Sequence, residues 1–239
     1  MDPSNSGEFC LNFEKNEESY FDDYRYSNIK HLSFRQFKDE TKKDKIVLYQ
    51  DFNLNKGGIF WDGSYLLTKY FLQNYHDNEK IKNSWILELG AGTSLPSIVL
   101  KLLGYKIVIT DLKYLHEFVK KNVFLNVDLE TKDLFIKELE WGKKEDIDSI
   151  KENTKSFSFI ICSELIYIEE SFDDLVKTLD EFSDGETKII FSYRIRMKEK
   201  IQSFLEKLQK IFVIDYVDDK ILGEIHPNEN LHIMIAQKK

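Results

Sequence analysis

The chain has 239 residues, 42% hydrophobic and 32% charged, which describes a globular protein with a packed core and excludes a disordered or a membrane-spanning class. Its 42 acidic against 34 basic residues give a formal charge of −8. That balance argues against a polyanionic partner, because short basic runs such as Lys42-Lys43 and Lys143-Lys144 sit beside acidic residues and form no basic patch.

Cys10 and Cys162 are too few for a disulfide framework, and the N-terminus lacks a basic-then-apolar leader. No uncharged stretch approaches the roughly 18 residues of a spanning helix. The expectation is a cytosolic or nucleocytoplasmic monomer that binds neither nucleic acid nor membrane.

Residues 1–44 are polar with scattered aromatics (Phe13, Tyr20, Tyr24, Tyr26) and show no sustained periodicity, so they read as a partly disordered arm. From Lys45 onward the pattern is that of one α/β domain, 45–239. Ile46 to Phe52 reads as a short strand, Gly57-Gly58 as a turn, and Ile59-Phe60-Trp61 as the entry to a helix carrying Leu66, Leu67, Tyr70 and Phe71 on one face.

Strands are then expected at 85–89, 107–109, 134–139, 157–161, 189–191, 212–217 and 231–236, with helices at 97–103, 114–126, from Ser171 and around Phe204 to Leu208. Ser171 with Asp174 three residues on predicts a capping box. Strands alternating with helices imply right-handed crossovers and a doubly wound, mostly parallel sheet covered on both faces.

The loop Glu88-Leu89-Gly90-Ala91-Gly92-Thr93-Ser94 lies between a strand and a helix. Gly90 permits a tight turn, Gly92 lets a ligand approach the backbone, and the following helix offers free N–H groups. Asp111 ends the next strand about twenty residues on, where a carboxylate can accept from ribose hydroxyls. The pair predicts an adenosine-containing ligand. A dinucleotide fingerprint requires a third glycine where this chain has Leu95, which disfavours a pyrophosphate.

Gly57-Gly58-Ile59-Phe60-Trp61-Asp62, Glu88 to Thr93, Thr110-Asp111-Leu112, Leu139-Glu140-Trp141-Gly142 and Glu164-Leu165-Ile166-Tyr167 occur in that order. Together they closely resemble the methyltransferase-like family 16 protein-lysine methyltransferases. The resemblance implies a Rossmann-like, seven-strand class I methyltransferase fold and S-adenosylmethionine as cofactor. It implies that Trp61, Gly90, Ala91, Gly92, Asp111, Trp141 and Ser163 surround the cofactor. It also implies that Glu164 and Tyr167 form the wall orienting the target lysine.

Substrates implied are folded cytosolic proteins of chaperone, elongation-factor or AAA ATPase type. Three departures stand out: Glu164 where the family has Asp, and Ser94 and Ser97 where Gly is usual. They leave a catalytically inactive cofactor-binding adaptor as an alternative, and the glycine loop with Asp111 leaves an NAD-dependent oxidoreductase as another. Arg194-Ile195-Arg196 follows the fifth strand of the alternating series and is expected at the surface or against substrate. The five histidines have no metal-ligand spacing, so no metal is expected.

Overall fold

The structure is a computed structural model that describes residues 9–13, 29–36, 43–75, 79–128, 132–154, 156–225 and 230–239. Two sheets form. The smaller is antiparallel, with β1 (Phe9–Phe13), β2 (Ile29–Gln36) and β3 (Lys43–Tyr49) in that order. Two strands therefore fall inside the expected arm, and its expected end at residue 44 lies within β3. Tertiary pairing overrides the weak local signal there; the remainder of the arm lies outside the described residues.

The larger sheet contains β4 (Trp85–Leu89), β5 (Lys106–Asp111), β6 (Leu134–Glu138), β7 (Phe157–Ser163), β8 (Lys188–Arg194), β9 (Phe212–Tyr216) and β10 (Leu231–Lys238). Their order is β6-β5-β4-β7-β8-β10-β9. All neighbours are parallel except β10, which runs antiparallel to both β8 and β9.

The parallel strands read as continuous apolar runs because both faces are covered. One face packs on α1 (Asp62–Tyr75), α3 (Leu95–Leu102), α4 (His116–Phe124) and α8 (Asp219–Ile225) through Phe71, Ile98, Val119 and Leu222. The other packs on α5 (Lys144–Lys151), α6 (Phe172–Phe182) and α7 (Lys198–Leu208) through Ile147, Phe172 and Phe204. The short α2 (Glu79–Lys82), α5 and α8 carry no clear signal in the sequence reading. Successive strand residues alternate between the two cores: Ile107 and Ile109 face α1 and α3, while Val108 faces the opposite side.

β3 is joined to the main domain by side chains rather than by the large sheet. Asn126 accepts from Val47 N–H (2.7 Å) and donates to Val47 C=O (2.8 Å); Asn122 does the same for Tyr49 (2.7 and 3.1 Å). Two strand residues rise about 6.6 Å and four helix residues about 6 Å, so one helix face reads the strand edge in register. This fixes β3, and with it the segment 50–61 that leads to the site.

The expected capping box does not form. Ser171 Oγ donates to Ile168 C=O (2.8 Å) and caps nothing, because a 3-10 turn at Glu169–Ser171 precedes α6. Asp174 lies instead against Gly142, where a Cβ would overlap its carboxylate, and Thr178 Oγ1 accepts the Gly142 N–H (2.8 Å). The loop bearing Trp141 is thereby pinned to α6.

Candidate active site

Strand order reverses direction at β4: β5 and β6 lie on one side of it, β7 and β8 on the other. In open α/β sheets such a switch point, at the carboxyl ends of the strands, forms the ligand crevice. Every residue expected at the site lies on the segments at that end.

Gly90 and Gly92 have φ of +57° and +51° after β4, in the left-handed region that favours glycine. A Cβ on Gly90 would overlap the Leu165 side chain and come within 3.5 Å of Trp141 Cζ2, so three loops converge on its bare Cα. A Cβ on Gly92 would meet the Gly57 carbonyl oxygen at 3.1 Å. Ala91 N–H donates to Thr110 C=O (3.0 Å), tying the loop to β5. Ser94 shares the left-handed conformation at φ +60°, at one of the positions where the resemblance leads one to expect glycine.

Asp111 is 8% exposed. Its Oδ2 accepts from Gly92 N–H and its Oδ1 from Leu112 N–H, each at 2.8 Å. Burial pushes its carboxyl up to about 6 against the opposing pull of those donors. Each oxygen keeps a lone pair for one further donor. Beneath the loop Glu88 is fully buried and pushed up by burial to about 8. Ser97 lies near enough to pull that value down, yet neither Glu88 oxygen nor Ser97 Oγ completes a hydrogen bond. Nothing in the local sequence marks Glu88 as more than the strand residue before the glycine loop.

Glu164 follows β7 at φ +52°, a strained position for a residue with a Cβ. Its N–H donates to Ser192 C=O (2.8 Å). Its side chain is 3% exposed and engaged on both oxygens: Oε1 accepts from Gly63 N–H (3.0 Å), and Oε2 pairs with Arg196 Nη2 (3.1 Å) and Arg194 Nε (3.8 Å). Arg194 Nη2 also meets Asp62 Oδ2 (3.1 Å). A Cβ on Gly63 would overlap the Glu164 side chain, so the close approach depends on glycine. Glu164 thus clamps the start of α1 to the ends of β7 and β8. The arginines expected at the surface or against substrate belong to this clamp.

Arg196 lies over the Trp61 ring, 5.3 Å from its centroid, and Trp61 Nε1 donates to Lys56 C=O (2.9 Å). Tyr167 is half-buried; burial raises its phenol above the usual range, with smaller contributions from Asp111 and Tyr114. Asp111 lies near enough to act electrostatically on Tyr167, and Lys56 Nζ sits 4.6 Å from the centroid of the Tyr167 ring. Ser163 is half-buried at the end of β7, paired in register with Ser192. Among the described residues no cluster of His, Cys, Asp and Glu could hold a metal ion, and no helix is long and apolar enough to cross a membrane. Cys162 is buried, and burial with the nearby Glu88 raises its thiol well above the ordinary value.

The family model described as lysine methyltransferase matches residues 40–211. The chain belongs to the lysine methyltransferase family. Protein N-lysine methyltransferase METTL21A of Xenopus tropicalis is 32% identical over 213 residues, covering 86% of this chain and 91% of that protein. Protein-lysine methyltransferase METTL21E of Mus musculus is 28% identical over 184 residues, covering 77% and 72%. Among solved structures, a TehB-like SAM-dependent methyltransferase from Corynebacterium glutamicum superposes with a TM-score of 0.52 at 13% identity, covering 78% of this chain and 93% of that one. SMU.776 complexed with SAH gives 0.53 at 13%, covering 87% and 56%. These likenesses carry the fold.

As a lysine methyltransferase the protein uses S-adenosylmethionine, which sets aside the oxidoreductase alternative. The residues present fit that group. Asp111 has acceptor capacity for two hydroxyls, Gly90 and Gly92 add no side chain to the loop beside it, and Glu88 lies beneath as a buried carboxyl without a hydrogen-bond partner.

Proposed function

We propose that the protein methylates a lysine side chain on a folded protein of the cytosol or nucleus, of chaperone, elongation-factor or AAA ATPase type. The observation that carries this reading is the meeting of Asp111, the Gly90–Gly92 loop, Trp141 and Tyr167 at the switch point, an adenosine-type cradle with an aromatic wall beside it. The relatives' names support a protein substrate: protein N-lysine methyltransferase for one, EEF1A lysine methyltransferase 3 of Xenopus tropicalis, 26% identical over 164 residues, for another.

Asp111 would accept from the ribose hydroxyls, Gly90, Ala91 and Gly92 line the amino-acid tail, Trp141 lie against the adenine, and Trp61 and Ser163 close the cradle. Bound S-adenosylmethionine supplies a methyl carried on a sulfonium, a good leaving group. The protein then has to align a neutral amine and exclude water. Tyr167 serves as the wall of the lysine channel. Its phenol stays protonated at neutral pH, so it acts through its ring and its hydroxyl dipole and not as a base. Glu164 contributes by positioning: it holds α1, and through Arg196 the Trp61 ring, against the β7 and β8 ends.

The test is labelling. Extract of cells lacking the protein, incubated with it and radiolabelled S-adenosylmethionine, should show one or a few labelled protein bands that are strongly reduced with Asp111→Ala. A labelled nucleic-acid or small-molecule fraction without labelled protein would overturn the reading.

A further inference from the structure

Among the described residues, Lys56 is the one lysine with its ammonium on the Tyr167 ring, 4.6 Å from the centroid, well inside the roughly 6 Å over which a cation is attracted to an aromatic face. Its side chain is exposed, and among the described residues it forms no ion pair. The backbone beneath it is held. The Lys56 carbonyl accepts the Trp61 indole N–H (2.9 Å), and Asn55 turns the chain at φ +53°. A Cβ on Gly57 would overlap Leu115, and the Gly57 carbonyl lies against Gly92 of the cofactor loop. Lys56 is thus fixed at its base beside the methyl donor's cradle, with a four-carbon stem free to move and its amine already on the wall assigned to the acceptor.

We propose that Lys56 is a self-methylation site: its amine occupies the acceptor channel in cis and takes a methyl when no protein substrate does. This rests on the lysine methyltransferase reading above. In the step the neutral Lys56 Nζ forms a bond to the methyl carbon, and the sulfur–methyl bond breaks, its electron pair staying on the sulfur as a thioether. The extra proton on nitrogen passes to water. Only the neutral amine carries the lone pair that reacts, so the rate should be greater in more alkaline buffer.

The experiment uses the full chain with S-adenosylmethionine alone, followed by peptide mapping by mass spectrometry. A parallel sample adds extract from cells lacking the protein. The expected result is a methyl mass increment confined to Lys56, faster at pH 9 than at pH 7, and lost in Lys56→Arg. If extract proteins are labelled while Lys56 stays unmodified, or the methyl maps to other lysines, the inference fails and the enzymatic reading stands. If neither the extract nor the chain is labelled although S-adenosylmethionine binds by calorimetry, both fail.

Discussion

Replacing Glu164 by alanine removes a carboxylate that accepts from Gly63 and Arg196 and forms a longer ion pair with Arg194. The Gly63 N–H at the start of α1 would lose its acceptor, at a cost of about 1 kcal/mol. Breaking a fully buried ion pair costs about 3–5 kcal/mol, but the Arg194 and Arg196 side chains are 20% and 49% exposed and can regain water. A reasonable sum is about 2 kcal/mol, or roughly 4–8 °C in melting temperature for a domain of this size. Loss of the clamp also frees Arg196 from its place over the Trp61 ring, and misplacement of that order costs about tenfold or more in rate. Cofactor affinity should change little, because Asp111 and its backbone donors are untouched. Thermal melting, calorimetric titration and initial rates on the labelled substrate separate these effects. Glu164→Gln, which keeps an acceptor for Gly63, should fall between wild type and alanine. Glu164→Asp is shorter by a methylene and should not restore both contacts, even though it is the residue expected from the resemblance. An alanine variant with unchanged melting and unchanged turnover would refute the clamp.

Other outcomes follow from the same geometry. Asp111→Ala should weaken S-adenosylmethionine binding by about 1–3 kcal/mol without unfolding the protein, measured by titration with a melting control. Wild-type affinity should be flat above pH 6 and decline by up to tenfold per unit below it, because Asp111, at about 6, accepts from two hydroxyls only when ionised; a flat profile down to pH 5 would remove it from the ribose site. Glu88 holds its proton to about 8 when folded but releases it near 4.5 when unfolded, so the folded state binds more protons and stability declines as pH rises between those values. From pH 6 to 8 this group should account for about 2 kcal/mol of lost stability, a slope that Glu88→Gln removes in melts at the two pH values. Ser94→Gly should relieve the left-handed strain and stabilise by up to about 1 kcal/mol, the gain being limited by glycine's greater freedom when unfolded.

The large sheet was legible because its strands are apolar runs punctuated by glycine and bounded by amphipathic helices. Trp85–Leu89 is found at the expected bounds, and the cradle residues Gly90, Gly92 and Asp111 sit where strand-end chemistry places them. What escaped the reading depends on contacts distant in sequence. Asn122 and Asn126 look like ordinary surface residues until β3 lies along them. The Glu164 contacts with Gly63, 101 residues away, and with the arginines across the sheet end have no local signal. Asp174 suggested a cap from its spacing to Ser171, whereas a 3-10 turn precedes the helix and Asp174 packs against Gly142. The strands before residue 44 carry no periodic signal and are held by pairing, β2 with β3 and β1 with β2.

The central claim is that the methyl group ends on lysine nitrogen through the Asp111 cradle and the Tyr167 wall. Its most direct test is acid hydrolysis and amino-acid analysis of protein labelled by the enzyme with tritiated S-adenosylmethionine. The account predicts radioactivity in methyl-lysine, strongly reduced with Asp111→Ala and with Tyr167→Ala. Label in any other amino acid, or methyl-lysine formed undiminished by both variants, would contradict it.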